Sequence, residues 1–159
     1  MTVRWLDDRE LAGWRGLQRL RGPLAAALNR QLTQDSGLSN ADYEVLVVLS
    51  ELEDGVLRVG ELGRMTGWEK SRLSHHLKRM QTRGLISRRE CSTDGRGAFV
   101  EITPVGRQAI GEAAPGHVAA VRRLVVDLLT PAELDALAAI GDKVNARLAA
   151  EGCCETDGE

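Results

Sequence analysis

A single change of hydrophobic period constrains this 159-residue chain more than any other feature. Between Val59 and Gly84, apolar residues recur every three or four positions in two short runs, and after Gly84 the period drops to two. The run "RVGELGRMTG" puts Val59, Leu62 and Met65 on the inner face of a short helix that stops at Gly67. The run "EKSRLSHHLKRMQTRG" does the same with Leu73, Leu77 and Met80, and Gly84 supplies a C-terminal glycine. The turn at Thr66-Gly67-Trp68 is short, so the pair predicts a helix-turn-helix. "LISRREC" and "AFVEIT" then read as strands of an antiparallel hairpin joined by "STDGRG".

Longer helices flank this unit. Leu11, Trp14, Leu17, Leu20, Leu24, Leu28 and Leu32 form one stripe over residues 8–35, with a bend expected at Pro23. In "SGLSNADYEVLVVLSEL", Ser39 is the expected N-cap, Asp42 lies in the first turn, and Tyr43, Leu46, Val47 and Leu49 are apolar. "EDGVLR" reads as the break after that helix. Beyond Thr103-Pro104 the helical period returns, with an interruption or kink expected at Pro115-Gly116. Thr130, Pro131 and Glu133 then make a capping box ahead of Leu134, Leu137, Ile140, Val144 and Leu148. The expected fold is mainly α with a small β-hairpin, in the order α-α-α-α-β-β-α-α, as a single domain over 1–159. The acidic stretch 151–159 is expected to be a flexible tail.

Charge locates the function. Residues 64–107 hold ten Lys or Arg against four acids, a net +6, while the other residues hold 11 basic and 19 acidic side chains, a net −8. A basic middle between acidic flanks is the pattern of a localised polyanion-binding surface. On the second short helix, the face opposite Leu73, Leu77 and Met80 carries Ser71, Arg72, Ser74, His75, Lys78 and Arg79, after Lys70 at its start. Such side chains suit base edges and phosphates in a major groove. A helix-turn-helix followed at once by a hairpin is the order of a winged helix. Arg88 and Arg89 on the first strand, with Arg96 at the tip, give the hairpin a cationic edge suited to DNA backbone or minor groove.

Other chemistries fit poorly. His75 and His76 are adjacent on a helix and point about 100° apart, so they do not form the i, i+4 pair that shares a metal. "DGRG" has neither the spacing nor the Gly-Lys-Ser/Thr ending of a phosphate-binding P-loop, and it lacks the acidic ladder of a calcium loop. No nucleophile and base stand at a spacing that argues for catalysis, so neither an enzyme nor a cofactor is expected. No uncharged apolar run approaches roughly 18 residues, and the N-terminus lacks the apolar core of a signal peptide; a cytoplasmic protein without membrane contact is expected. Cys91, Cys153 and Cys154 make no disulfide framework.

The segments "LSNADYEVLVVL" and "VGELGRMTGWEKSRLSHHLKRMQTRGLISRRECSTDGRGAFVEITPVGRQ", with the helical tail, resemble the MarR family of bacterial regulators, particularly actinobacterial members. The resemblance spans nearly the whole chain, and its most specific part is the Asp94-Gly95-Arg96 turn followed by a strand and by "TPVG". It implies a homodimeric DNA-binding regulator, usually a repressor, acting on pseudo-palindromic operator DNA. Residues 8–35 and 104–150 would be dimerisation helices and 39–103 the DNA-binding lobe, with the recognition helix over about 69–83. Arg96 would enter the minor groove while Asp94 orients the wing. Gly97 departs from the pattern, since many members carry a larger residue there.

The resemblance also implies a small aromatic or phenolic effector between dimer layer and DNA-binding lobe, with Trp14 and Tyr43 as the candidate contacts. Two alternatives stay open on the same fold. One is a thiol-based redox sensor using Cys91, where Arg88 and Arg89 would favour the thiolate; Cys153 and Cys154 are lesser candidates. The other is a DNA-binding protein that takes no ligand.

Overall fold

The computed structural model of the chain describes residues 3–90 and 98–153. Cys91, Asp94, Arg96 and Gly97 of the hairpin tip therefore lie outside the described residues, as do Cys154 and the rest of the C-terminal tail. The chain divides into two compact units, Met1–Ala120 and Val121–Glu159.

The first unit begins with α1 (Asp8–Ser36), capped by Asp7 and Glu10 in a capping box and ended by Gly37 in the left-handed region. The helix runs through Pro23 without a break. α2 (Asn40–Ser50) starts in a second capping box, made by Ser39 and Asp42. A helix-turn-helix follows, α3 (Val59–Thr66) and α4 (Lys70–Thr82), with Gly67 at φ +66° ending the first of the two. β2 (Ile86–Glu90) and β3 (Ala98–Ile102) pair antiparallel, with Ile86 opposite Ile102 and Arg88 opposite Val100. α5 (Pro104–Leu124) begins in this unit and runs through Pro115.

Three details depart from the sequence reading. "EDGVLR" contains a third strand, β1 (Val56–Arg58), which pairs with β3 and gives the sheet order β1-β3-β2. A strand of three residues is too short to show a period. Met65, expected inside, is 62% exposed. The inner face of α3 instead follows Val59, Leu62, Gly63 and Thr66, the i, i+3, i+4, i+7 set. Gly63 permits this rotation, because a Cβ there would already stand 3.3 Å from Leu73. Finally, α5 runs on through Pro115-Gly116, where an interruption or kink was expected.

The core is aliphatic. Leu32, Leu46, Leu49, Leu62, Leu73, Leu77, Met80 and Val100 are fully or almost fully buried, and they knit α1 and α2 to the helix-turn-helix and the sheet. Each such leucine contributes about 2 kcal/mol on removal from water. The start of α5 is fixed by Thr103, whose hydroxyl accepts from the Gly106 amide at 3.0 Å and donates to the Gly84 carbonyl at 2.6 Å.

The second unit holds the last turn of α5, a single 3₁₀ turn (Val126–Leu128) and α6 (Pro131–Cys153). The capping box read at Thr130 and Glu133 is present: Thr130 N donates to Glu133 Oε2 at 2.8 Å and Glu133 N to Thr130 Oγ1 at 3.3 Å. Leu137, Ile140, Val144 and Leu148 on α6 are all exposed.

Candidate nucleic-acid interface

The burial of Leu73, Leu77 and Met80 fixes the rotation of α4. Lys70, Ser71, Arg72, Ser74, His75, Lys78 and Arg79 are consequently exposed along the other side. The N-cap residue of α4, Glu69, makes no side-chain hydrogen bond to the first turn, which begins at Lys70. Backbone amides at a helix start, together with cationic side chains, suit phosphate oxygens.

The two strand arginines do not share one edge. Successive strand residues point to opposite faces. Arg88 is half-buried and lines a cleft of about 760 Å³ with Val59, Arg64, Trp68, Lys70 and Leu73. Arg89 lies on the other face, where its guanidinium is 3.3 Å from the Glu101 carboxylate, an exposed pair that offsets much of its charge. Asp94 and Arg96 lie outside the described residues.

Sequence reasoning missed the residues beneath α4. Trp68 was read only as part of the turn, yet its ring carries the Arg72 guanidinium 4.5 Å from the centroid. Arg64 was counted only as charge, yet it joins Lys70 and Arg88 around the cleft. Asp42 was read as a first-turn acid, and it is buried at 3% exposure. Its Oδ2 accepts from Arg83 Nη1 at 2.7 Å and from Ser39 N at 2.8 Å, while Oδ1 stands 3.1 Å from His76 Nε2. The His76 contact is off the line of a good hydrogen bond, so it is chiefly electrostatic. Burial alone would raise the Asp42 carboxyl; His76, Ser39 and Arg83 outweigh it and hold the group well below the usual carboxylate range. Arg83 Nη2 also donates to the Gly37 carbonyl at 2.9 Å, so one guanidinium, at the end of α4, ties the end of α1 to the start of α2. The sequence signal for this was slight: Asp42 reads as an ordinary first-turn acid of a helix that also carries Glu44.

Tyr43 and Trp14 are placed apart. The Tyr43 ring meets His117 with centroids 4.2 Å apart, and His117 Nδ1 lies 3.3 Å from Gln31 Oε1 on α1. Burial pushes the Tyr43 hydroxyl up and the His117 imidazole down. Trp14 precedes Gln31 by 17 residues on the same helix, about 25 Å along its axis, so the two aromatics do not line one cavity within a chain. Among the described residues no group of three or more His, Cys, Asp or Glu side chains is placed to hold a metal. Nor is any described helix long and apolar enough to cross a membrane.

A helix-turn-helix with an exposed cationic second helix, backed by a small antiparallel sheet, defines the winged-helix class. Within that class the chain belongs to the MarR family. Residues 36–97 match the model described as MarR family. The structure superposes on that of AbsC, a MarR family transcriptional regulator from Streptomyces coelicolor, with TM-score 0.86 and 38% identity over 93% of this chain and 99% of that one. It is similarly close to Sco3205, another such regulator from Streptomyces coelicolor, solved in complex with DNA: TM-score 0.84 and 37% identity over 95% of this chain and 91% of that one. The HTH-type transcriptional repressor YetL of Bacillus subtilis is 28% identical over 81 residues, a match that spans 51% of this chain and 48% of that relative. The family consists of transcriptional regulators and not of enzymes.

Proposed function

We propose that the chain is a homodimeric, sequence-specific transcriptional repressor of the cytoplasm that reads pseudo-palindromic operator DNA and is released by a small aromatic or phenolic effector. The observation that carries DNA reading is the polar face of α4. Seven hydrogen-bonding or cationic side chains, from Lys70 to Arg79, are exposed opposite an inner face of Leu73, Leu77 and Met80, with His76 buried beside them. α4 is the recognition helix in this reading: Ser71, His75 and Lys78 sit at the centre of the outward face, and Arg72, Ser74 and Arg79 flank them. Sco3205, at 37% identity, is a relative solved with DNA, and YetL is a repressor by name.

Exposed apolar stripes support the homodimer. Trp14, Leu17 and Leu20 on α1, and Leu137, Ile140, Val144 and Leu148 on α6, are each about half exposed, far more than a solitary soluble helix needs. Residues 8–35 and 104–150 are accordingly the dimerisation helices, and 39–103 the DNA-binding lobe with its wing. Two recognition helices related by a two-fold axis would read half-sites about 34 Å, or one helical turn, apart. The cleft beside Trp68 supports an effector of aromatic, anionic character, since an indole and apolar side chains share its walls with Arg64, Lys70 and Arg88.

Fluorescence anisotropy with DNA from beside its own gene tests the reading. Tight binding that survives excess unrelated DNA at about 0.15 M salt is the expected result. Equal affinity for unrelated DNA would sink it.

A further inference from the structure

One edge of α4 is already occupied from below. At about 100° per residue, Arg72, His76, Arg79 and Arg83 share that edge. The Trp68 ring, with the Arg72 guanidinium above it, meets His76 edge-on at a centroid distance of 5.3 Å. Arg79 Nη2 donates to His76 Nδ1 at 2.9 Å. The imidazole is buried at 5% exposure, and Asp42 lies against its other nitrogen. Glu44 on α2 is near enough for the charges of Arg72 and His76 to act on its carboxyl. The ring therefore stands between the Asp42 carboxylate and Arg79 of its own helix, with an indole at its edge.

This setting selects one tautomer. A guanidinium donates and never accepts, so Nδ1 must offer Arg79 its lone pair. The ring proton then sits on Nε2, the nitrogen 3.1 Å from Asp42 Oδ1, where the nearby carboxylate favours it electrostatically. Arg83 and Ser39 anchor that carboxylate in turn.

We propose that His76 is a positioning residue for DNA recognition: its Nδ1 lone pair holds the Arg79 guanidinium in place, as Trp68 holds Arg72 two turns earlier. The inference rests on α4 being the recognition helix. Arg72 and Arg79 are seven residues apart, about 10 Å along the axis, and both are steadied before DNA arrives. A side chain already held loses less freedom on binding than one sampling solvent, so the pair grips DNA at a smaller entropic cost.

A double-mutant cycle on the full chain tests this, with anisotropy on the DNA that wild type selects. His76→Leu should weaken binding about tenfold when Arg79 is present and less than about twofold in an Arg79→Ala background. His76→Gln, whose amide offers both an acceptor and a donor, should stay within about threefold of wild type. Equal losses from His76→Leu in both backgrounds overturn the proposal, as does a His76→Gln as weak as His76→Leu. Thermal melts establish that each variant folds. If His76→Leu does not, long-range ¹⁵N–¹H spectra of wild type decide: a bare Nδ1 with protonated Nε2 supports the relay, and a protonated Nδ1 overturns it. Wild type that selects no DNA sequence would mean failure of the regulator reading itself, whereas selection without coupling is failure of the relay alone.

Discussion

Arg83 Nη1 lies 2.7 Å from Asp42 Oδ2, joining residues 41 positions apart across the inside of the DNA-binding lobe. Asp42 is the sole carboxylate among the buried polar residues described, and its other contacts come from Ser39 and His76. Removing its charge leaves a histidine and an arginine facing an amide that can satisfy them only in part. Asp42→Asn should therefore lower stability by about 2 kcal/mol at neutral pH, read from urea unfolding, with Arg83's partial exposure limiting the loss.

The same carboxylate sets an acid dependence. Its folded pKa lies below the ordinary aspartate value of about 3.9. Its contribution is thus fully present above that value and lost as the pH falls below it toward the depressed folded pKa. Between roughly pH 4 and pH 2, wild type should lose stability more steeply than Asp42→Asn, so the two unfolding curves converge in acid. Parallel curves would show that Asp42 is not the group responsible.

Gly106 on α5 is packed against backbone. A Cβ there would land on the Leu85 carbonyl oxygen, which lies between α4 and β2 and cannot swing aside. Gly106→Ala should cost about 3 kcal/mol and lower the melting temperature by several degrees. Gly111, on the same helix, has nothing within 4 Å of the equivalent position. Gly111→Ala should be neutral or stabilising by about 0.5 kcal/mol, through helix propensity.

Lys78 is an exposed cation near the centre of the outward face of α4. If it grips phosphate, Lys78→Ala should weaken binding to all DNA sequences alike and reduce the slope of log K against log salt by about 0.9. Arg89→Ala should change that slope less, because Glu101 already offsets its charge. A Lys78→Ala effect confined to one base position would instead make it a base-reading residue.

Leu17 on α1 and Ile140 on α6 are 52% and 57% exposed. Neither supports the core described above, so a charge at either position should leave the lobe folded. Leu17→Glu and Ile140→Glu should each shift a sedimenting dimer toward monomer and weaken operator binding by at least about tenfold. A wild-type chain that sediments as a monomer would rule out the homodimer.

Much of the fold was legible because its signals are local. The inward stripe of α4, the capping box at Thr130, the glycine stops at Gly67 and Gly84, and the alternation of β2 and β3 all depend on neighbours within a turn or a strand. β1 was not legible, since three residues carry no period and acquire strand geometry only by pairing with β3. Met65 misled for a related reason: which of two near-equivalent stripes faces inward was settled by how closely Gly63 approaches Leu73. Pro115 looked like an interruption because propensity weighs one residue at a time, whereas a long helix packed along one face tolerates the lost bond.

The sequence by itself determined the helix-turn-helix, the hairpin, the +6 middle and the set of side chains opposite Leu73, Leu77 and Met80, because period and charge are properties of order along the chain. Only the tertiary structure decided what holds those side chains. The spacing of His76, Arg79 and Arg83 puts them on one edge of α4, but nothing in the sequence predicts that Asp42, from α2, joins them. The network forms because burying one carboxylate requires partners to replace water, and folding brings His76 and Arg83 of α4 to the start of α2.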